Sequence, residues 1–439
     1  VTVGAALSAD PRIDGMCFTG STATAQRINR AMARSAAPDA PLVAETGGLN
    51  AMIVDSTALP EQAVRDIVMS SFQSAGQRCS ALRVLYLQED IATPFLKMLY
   101  GAIDELAVGD PWDRATDVGP VIDSLARDKI ADYVDQAANE GRLLKRVKAP
   151  KTGTFIPPSV VRVNGIGDMA EEIFGPVLHV ATFKAEQLDQ VIADVNASGY
   201  GLTFGLHTRI DDRVEHITAN LNVGNIYINR NQIGAVVGSQ PFGGEGMSGT
   251  GPKAGGPHYV RQFTKRDSVV VDDAQGGDSV SLEVVQAAID KLTATSRPLP
   301  LAAAELPGPT GESNRLSTFG RGLILCLGPT ADAAAEQADA AKSVNCPTLE
   351  IAPGATGENT IDGVLGADVL KELSGFEGIV LWSDGDDARA MRAALADRQG
   401  PILPLISAAD VAGMCIKERH ICIDTTAAGG NASLLAESA

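Results

Sequence analysis

The chain has 439 residues, of which 45% are hydrophobic and 21% charged. This composition is ordinary for a soluble globular protein, and the length predicts two or three domains. The net charge is −18, of which −13 falls in residues 271–439, so a basic nucleic-acid-binding surface is excluded. No apolar run reaches about 18 residues, and no transmembrane helix is expected.

The cysteines and the first residues exclude two further classes of protein. Six cysteines are scattered without the spacing of a zinc site, and no metal site is predicted. Five lie in apolar or strand-like surroundings and are predicted to be reduced core residues. They are Cys17, Cys326, Cys346, Cys415 and Cys422. The opening "VTVGAALSADPRIDG" lacks the basic start and apolar stretch of a signal peptide.

Residues 11–50 predict a strand, a turn, a helix and a second strand. "IDGMCFTGST" ends an apolar run in a Gly-Ser-Thr turn, and "TATAQRINRAMARSA" has a helical composition. The N-terminus of such a helix offers free backbone N–H groups to an anion, although most turns of this kind bind nothing. Glu45 follows in "AETGGLN" as a possible general base, or as a glutamate that only caps a turn.

Cys79 lies between a predicted helix and a predicted strand. The helix begins at Pro60, its apolar positions share one face, and Gly76 ends it before "RVLYL" begins. A cysteine at such a loop, next to Arg78, is either a nucleophile or an ordinary structural residue. Downstream, "EEIFGPV" (171–177) is either a functional loop or a plain entry into a strand.

Two later segments define the rest of the chain. Residues 238–257 hold eight glycines, which predicts a shaped loop that approaches a ligand or partner. After a polar boundary at 271–279, short apolar runs alternate with helical stretches and predict a parallel, doubly wound α/β unit. Its first strand is followed only by Gly328 and Pro329, so we expect this unit to be non-catalytic and to bind no nucleotide.

Five segments in order resemble the signatures of the aldehyde dehydrogenase superfamily. They are "FTGST" (18–22), "ETGGLN" (45–50), "GQRCSA" (76–81), "EEIFGPV" (171–177) and "PFGGEGMSG" (241–249). The resemblance covers about residues 1–270. "SGTGPKAGGPHYVRQF" is similar to the pyrroline-5-carboxylate dehydrogenase branch, and the acidic second unit resembles the long bifunctional proline utilization A proteins.

This resemblance implies five segments. They are the C-terminal part of an NAD-binding Rossmann domain (1–44), a catalytic α/β domain (45–237), a Gly-rich closing loop and tail (238–270), a non-catalytic aldehyde dehydrogenase-like domain (271–410) and a docking or flap segment (411–439). The family's oxyanion asparagine and adenosine-binding lysine lie upstream of "FTGST", and residues 1–17 contain neither. We therefore expect a C-terminal fragment of a longer enzyme, with reduced activity of its own.

The resemblance also implies a reaction and its residues. The enzyme would oxidise L-glutamate γ-semialdehyde to L-glutamate with NAD⁺, with Cys79 as nucleophile and Glu45 activating the hydrolytic water. The implied residues at the cofactor are Gly20, Ser21, Thr46, Gly47, Glu172 and Phe174. Those implied at the substrate are Ser80, Gly234, Ala235 and Phe242, although Gly234 and Ala235 could equally form a plain turn.

The implied partners follow from the same family. A proline dehydrogenase domain carrying FAD is expected upstream, in a cytoplasmic, bacterial homo-oligomer whose longer parent can associate peripherally with a membrane. This chain itself is expected to bind no nucleic acid. Two alternatives remain at this point: an aldehyde dehydrogenase for a different aldehyde, and a non-catalytic assembly fragment.

Overall fold

The computed structural model describes residues 2–264, 268–271, 276–293, 300–383 and 385–426. These residues form two compact units, each assembled from separate parts of the chain. The first comprises residues up to 46, 249–304 and 316–419, and the second comprises 47–248, 305–315 and the residues from 420. The predicted flap sequence from 427 onward lies outside the described residues. The five-segment domain division stays a prediction.

Strands and helices alternate along most of the chain. The strands are β1 Met16–Gly20, β2 Leu42–Thr46, β3 Ala51–Val54, β4 Val84–Gln88, β5 Leu143–Arg146, β6 Ser159–Arg162, β7 Val177–Phe183, β8 Tyr200–Gly201, β9 Thr203–His207, β10 Asn225–Ile228, β11 Glu245–Gly246, β12 Pro300–Leu306, β13 Glu312–Gly320, β14 Ile324–Cys326, β15 Thr348–Ala352, β16 Thr360–Asp362, β17 Gly378–Val380, β18 Leu405–Ile406 and β19 Ile416–Asp424. The α-helices are α1 Thr2–Ser8, α2 Thr22–Ser35, α3 Pro60–Phe72, α4 Glu89–Asp104, α5 Ser124–Asn139, α6 Leu188–Ala197, α7 Asp211–Asn220, α8 Leu282–Thr293, α9 Ala331–Lys342, α10 Ala367–Glu372, α11 Gly385–Asp397 and α12 Val411–Met414.

The first unit contains two parallel sheets. β1 and β2 pair in parallel, with Gly20 opposite Thr46, and α2 connects them. The second sheet has the order β16-β15-β14-β17-β18, and all its pairs are parallel. The chain starts this sheet at its centre and adds strands first on one side and then on the other. The predicted doubly wound arrangement of this region is therefore confirmed.

The second unit is built on a predominantly parallel sheet. Within the order β12-β13-β19-β10-β9-β3-β4-β7-β6-β5, the strands from β19 to β6 that carry described pairings run parallel, and β5 is antiparallel to β6. β3, β4, β9 and β10 are buried along their whole length. This is why they read in sequence as continuous apolar runs rather than as alternating ones.

The helix before Cys79 follows its sequence pattern. Pro60 stands at the first helical position, where its missing N–H costs nothing. Val64, Ile67 and Phe72 are buried against the sheet, whereas Val68 is only half-buried. The α-helix ends at Phe72, four residues before the predicted end at Gly76, and the turn Gln73–Gly76 follows with non-helical backbone angles at Ser74 and Ala75.

One cysteine departs from the sequence prediction. Cys326, Cys346, Cys415 and Cys422 are buried, as expected, but Cys17 is exposed. Cys17 lies on β1, which in the described structure pairs only with β2, and three of the five β1 residues are exposed. A strand with few neighbours cannot bury both faces, and its apolar sequence alone does not reveal this. None of the described helices has the length and apolar character needed to cross a bilayer.

His179 on β7 should make the folded state sensitive to acid. Its Nδ1 lies 2.9 Å from the Arg83 carbonyl oxygen and its Nε2 lies 2.8 Å from the Tyr133 hydroxyl. Burial lowers the pKa of His179 from 6.5 to about 4. Between these values the unfolded chain binds more protons, so the stabilisation is present above pH 6.5 and is lost as pH falls.

We predict that His179→Gln reduces this pH dependence. Between pH 7 and pH 5, the wild-type free energy of unfolding should fall by about 2 kcal/mol more than that of the variant. Urea denaturation followed by circular dichroism at both pH values measures the difference. Equal losses in the two proteins would contradict a buried, neutral histidine.

Candidate active site

The backbone that leads into the Cys79 loop has unusual torsion angles. Ser74, Ala75 and Gly76 all have positive φ angles, of 57°, 54° and 66°. This left-handed turn redirects the chain after α3, and such conformations cost energy in residues other than glycine and cluster at functional sites. A Cβ on Gly76 would overlap the carbonyl oxygen of Gly175. Glycine is therefore required where the two loops meet.

Buried polar side chains hold the backbone around Cys79. Asn50 Nδ2 donates to the carbonyl oxygens of Cys79 (2.6 Å) and Ala81 (2.9 Å). The carbonyl oxygen of Ser80 accepts from Thr203 Oγ1 at 3.2 Å and from Gln232 Nε2 at 3.3 Å. The main chain is thus fixed on several sides while the Cys79 residue itself is only half-buried and forms no disulfide.

Arg83 holds the Cys79 loop through hydrogen bonds to backbone carbonyl oxygens. Its side chain is completely buried, and it donates to the carbonyl oxygens of Gly76 (2.7 Å) and Arg78 (3.1 Å) and to that of Gly175 (3.3 Å). One planar guanidinium therefore joins the Cys79 loop to the "EEIFGPV" loop, using the several donors that arginine presents at once.

The same guanidinium forms an ion pair with Glu172. Arg83 Nη2 and Nε lie 2.8 and 3.0 Å from Glu172 Oε1. Burial raises the pKa of Glu172, and the neighbouring Arg83 charge opposes that shift. Burial likewise lowers the pKa of Arg83. A Cβ on Gly47 would overlap Glu172 Oε2, so the carboxylate packs directly on the "ETGG" backbone.

Phe174 completes this cluster. The Arg83 guanidinium carbon lies 5.2 Å from the centre of the Phe174 ring, a distance suited to a cation–π contact. Phe174 is nevertheless 45% exposed, which leaves part of the ring available to a ligand. Three predicted cofactor residues, Gly47, Glu172 and Phe174, therefore meet around Arg83, beside the loop that carries Cys79.

Among the predicted substrate residues, Ser80 belongs to the same loop and the Gly234–Ala235 turn lies beside it. Ser80 is buried, Gly234 is exposed with a φ of 74°, and Ala235 is half-buried. A Cβ built on Gly234 would lie 4.0 Å from Arg78 Nη1, which places this turn beside the Cys79 loop. The half-buried Phe242 follows Pro241, whose carbonyl accepts from Asn225 Nδ2 at 2.9 Å.

The remaining predicted residues belong to the first unit. Gly20 ends β1 opposite Thr46 at the end of β2. Ser21 caps α2, and its Oγ accepts from the Thr24 N–H at 3.3 Å. Glu45 is half-buried on β2 and forms an isolated bridge with Gly249. These residues share one end of a parallel strand pair, and the joint action of Glu45 and Cys79 stays a prediction.

Sequence reasoning missed the side chains that hold the site together. Arg83, Asn50 and Gln232 are buried, and each bonds to the Cys79 loop. A charged residue at the start of the apolar run "RVLYL", and an asparagine directly before another such run, were signals that could have been used. Gln232 gives no comparable signal, because it lies in an ordinary polar stretch. Among the described residues no cluster could hold a metal ion.

Comparison with known proteins identifies the family. The profile of the Aldehyde dehydrogenase family matches residues 1–269. The chain belongs to the aldehyde dehydrogenase family. Bifunctional protein PutA from Salmonella typhimurium is 38% identical over 99% of the chain, which spans 36% of that relative. The predicted family and fold class are therefore confirmed.

Two solved structures extend the comparison. A mutant of Proline Utilization A from Bradyrhizobium japonicum is 53% identical, with a TM-score of 0.58 over 60% of this chain and 27% of that one. The 1-pyrroline-5-carboxylate dehydrogenase from Thermus with bound NAD is 37% identical, with a TM-score of 0.56 over 60% of this chain and 51% of that one. The chain thus spans about a third of its curated PutA relatives and half of the dehydrogenase.

Two adjacent glutamates provide a test of the Arg83 cluster. Glu172→Gln leaves the buried Arg83 charge without its counter-ion and should lower the free energy of unfolding by about 3 kcal/mol. Glu171 pairs with Lys129, and both side chains are about 60% exposed. Glu171→Gln should therefore change the free energy of unfolding by less than about 0.5 kcal/mol. Urea denaturation measures both. Equal effects would contradict the central position assigned to Arg83.

Proposed function

We propose that the chain carries out the NAD⁺-dependent oxidation of L-glutamate γ-semialdehyde to L-glutamate, the semialdehyde being the hydrolysed form of 1-pyrroline-5-carboxylate. Membership of the aldehyde dehydrogenase family supports the reaction class. Similarity to 1-pyrroline-5-carboxylate dehydrogenase and to PutA supports the substrate. The overall reaction consumes water and NAD⁺ and releases NADH and a proton with the carboxylic acid.

The fixed loop around Cys79 is the observation that carries this proposal. A nucleophilic cysteine must be reachable and must favour its thiolate form. Cys79 is half-buried on a backbone held by Asn50 and Arg83. The buried Arg83 guanidinium lies directly behind this loop. A positive charge near the thiol would favour the thiolate, which would add to the aldehyde carbon and form a hemithioacetal.

Hydrolysis of the acyl-enzyme falls to Glu45. After the hydride has left the hemithioacetal, a thioester joins the acyl group to Cys79. Glu45 would take a proton from water as the water oxygen attacks the thioester carbon, and the thiolate then leaves. Its half-buried position on β2 supports this role, because partial burial favours a carboxylate that accepts a proton near neutral pH.

The residues present fit NAD⁺ as the cofactor. Ser21 caps a 14-residue helix at the carboxyl ends of two parallel strands, where backbone N–H groups suit a pyrophosphate. Glu172 would bond the nicotinamide ribose, and the exposed part of Phe174 would pack beside the nicotinamide. NAD⁺, when bound, supplies the hydride acceptor that converts the hemithioacetal to the thioester.

The α-carboxylate of the substrate needs donors in a polar loop. The Gly234–Ala235 turn, which is partly exposed and lies near Arg78, offers backbone N–H groups of the kind that bind anions. Ser80 would add its hydroxyl, and Phe242 would lie along the aliphatic part. A dehydrogenase for an uncharged aldehyde would not require this arrangement.

We further propose that the chain acts as the dehydrogenase part of a longer, cytoplasmic, homo-oligomeric polypeptide. It spans 36% of a relative named as bifunctional, and that relative's name supports a second enzymatic part in the same protein. An FAD-dependent proline dehydrogenase is the activity we propose for that part, since it would supply the precursor of the semialdehyde.

Replacing the nucleophile should abolish the reaction. In the whole polypeptide, Cys79→Ala should reduce semialdehyde-dependent NADH formation by at least about a thousandfold and leave linked proline oxidation intact. Cys17→Ala, which alters an exposed cysteine, is the control and should retain activity. NADH absorbance at saturating semialdehyde measures both.

Thiol labelling separates an enzyme from an assembly fragment. Iodoacetamide should inactivate the wild type, and NAD⁺ should slow that loss. Substantial NADH formation by the Cys79→Ala protein, or a Cys79 thiol inert to iodoacetamide in the whole polypeptide, would exclude the proposed mechanism.

Replacing the proposed base should separate the two halves of the reaction. In Glu45→Gln the amide cannot accept a proton from water, so thioester hydrolysis should slow by about a hundredfold or more while thiolate attack continues. Stopped-flow absorbance should show a burst of NADH followed by slow turnover. Glu61→Gln, at an exposed position on α3, should behave like the wild type. A slowed burst without accumulated thioester would assign Glu45 to thiol activation instead.

A further inference from the structure

The first unit contains a cavity of about 580 Å³ that the proposed reaction does not use. Its walls include the residues at the amino ends of β1 and β2 and the segment 402–408 around β18. Cofactors in parallel α/β sheets bind at the opposite, carboxyl ends of the strands, where Gly20 and Thr46 lie. The cavity is therefore separate from the proposed cofactor site, and its volume is large enough for a small molecule.

The wall of this cavity contains a buried, positively charged side chain, that of Arg392. The residue lies on α11, lines the cavity and is only 6% exposed. Among the residues that the structure describes, it has neither a hydrogen-bond acceptor nor an acidic partner. Arginines are rarely buried to this degree without a counter-charge, because an unpaired charge removed from water is costly. The expected partner of such a guanidinium is an anion.

The acidic residues of the cavity do not neutralise Arg392. Glu418 accepts from the Lys253 N–H at 2.9 Å, Asp39 accepts from Ser268 Oγ at 3.0 Å, and Asp14 is exposed. Burial is the single cause that lowers the pKa of Arg392 to about 10. A carboxylate close to the guanidinium would have raised that pKa, so the charge is locally uncompensated.

The walls of the cavity are held in place by their own contacts. α11 packs against α2, Arg389 Nη1 donates to the Ala36 carbonyl at 3.1 Å, and Gln26 Nε2 donates to the Gly400 carbonyl at 3.1 Å. Arg321 also lines the cavity, but its Nε and Nη2 donate to the carbonyls of Met414 and Thr250. Arg392 is the guanidinium of the cavity wall that has no such bond to the described residues.

The apolar residues that line the cavity indicate that the rest of the ligand is apolar. Leu42, Ile402, Leu403 and Leu405 line the cavity. One uncommitted arginine matches a single carboxylate, with which it can form two parallel hydrogen bonds. A phosphate dianion is a poorer match, since three acidic residues also line the cavity.

We propose that this cavity binds a small monocarboxylate, with the carboxylate on Arg392 and an apolar body along Ile402 and Leu403. The site is independent of the dehydrogenase reaction and does not rest on it.

The test compares hexanoate, hexan-1-ol and inorganic phosphate on the whole protein by isothermal titration calorimetry. Hexanoate should bind with a dissociation constant below about 1 mM, and hexan-1-ol and phosphate should each bind at least about tenfold more weakly. Arg392→Met should weaken hexanoate binding by at least about tenfold. Without hexanoate this variant should unfold at the same or a higher temperature than the wild type, because it removes an unpaired buried charge.

Arg114→Met, at an exposed position outside the cavity, is the matched control and should bind like the wild type. If Arg392→Met does not fold, Arg392→Lys is the variant to test. It keeps the positive charge but lacks the planar guanidinium that forms two parallel hydrogen bonds, so hexanoate binding should weaken by about fivefold. Hexanoate binding unchanged in the Arg392 variants would place it elsewhere, and no hexanoate binding to the wild type would equally overturn the proposal. Phosphate binding more tightly than hexanoate would refute the monocarboxylate assignment.

Discussion

A single buried guanidinium organises the candidate active site of this protein. Arg83 bonds to the carbonyl oxygens that follow α3, pairs with Glu172 and contacts Phe174. These groups come from segments about 90 residues apart in sequence. Removing two charges from water is expensive and is offset only when their geometry is good and the remaining donors are satisfied. Arg83 meets both conditions, so the Cys79 loop and the "EEIFGPV" loop hold one relative position.

This arrangement accounts for the glycines of the sequence motifs. Gly76 allows the backbone of one loop to approach the Gly175 carbonyl, and Gly47 leaves room for the Glu172 carboxylate. The motifs are therefore more than separate ligand contacts along the chain. Several of their small residues exist because two loops and a buried ion pair must fit together closely.

Much of the architecture could be predicted from the sequence, because buried parallel strands leave continuous apolar runs between helices. "GLILCLG" and "GIVLW" each form a strand of the five-stranded sheet. The site was predictable only where a motif carried it. Arg83 and Gln232 act through distant partners that local sequence does not show. Exposed Cys17 was mispredicted because the number of neighbours a strand has depends on the whole fold.

The pairing of β10 with β19 has a consequence for the order of events during synthesis. Asn225–Ile228 align with residues 420–423, which leave the ribosome about 200 residues later. Until then, β10 presents an open edge, of the kind that recruits other chains. Co-translational folding of this sheet would therefore stop at β10, and β19 with β13 and β12 beyond it would join only when the distant C-terminal segment is released. Slow translation of residues 271–419 would lengthen the interval in which the nascent chain depends on chaperones.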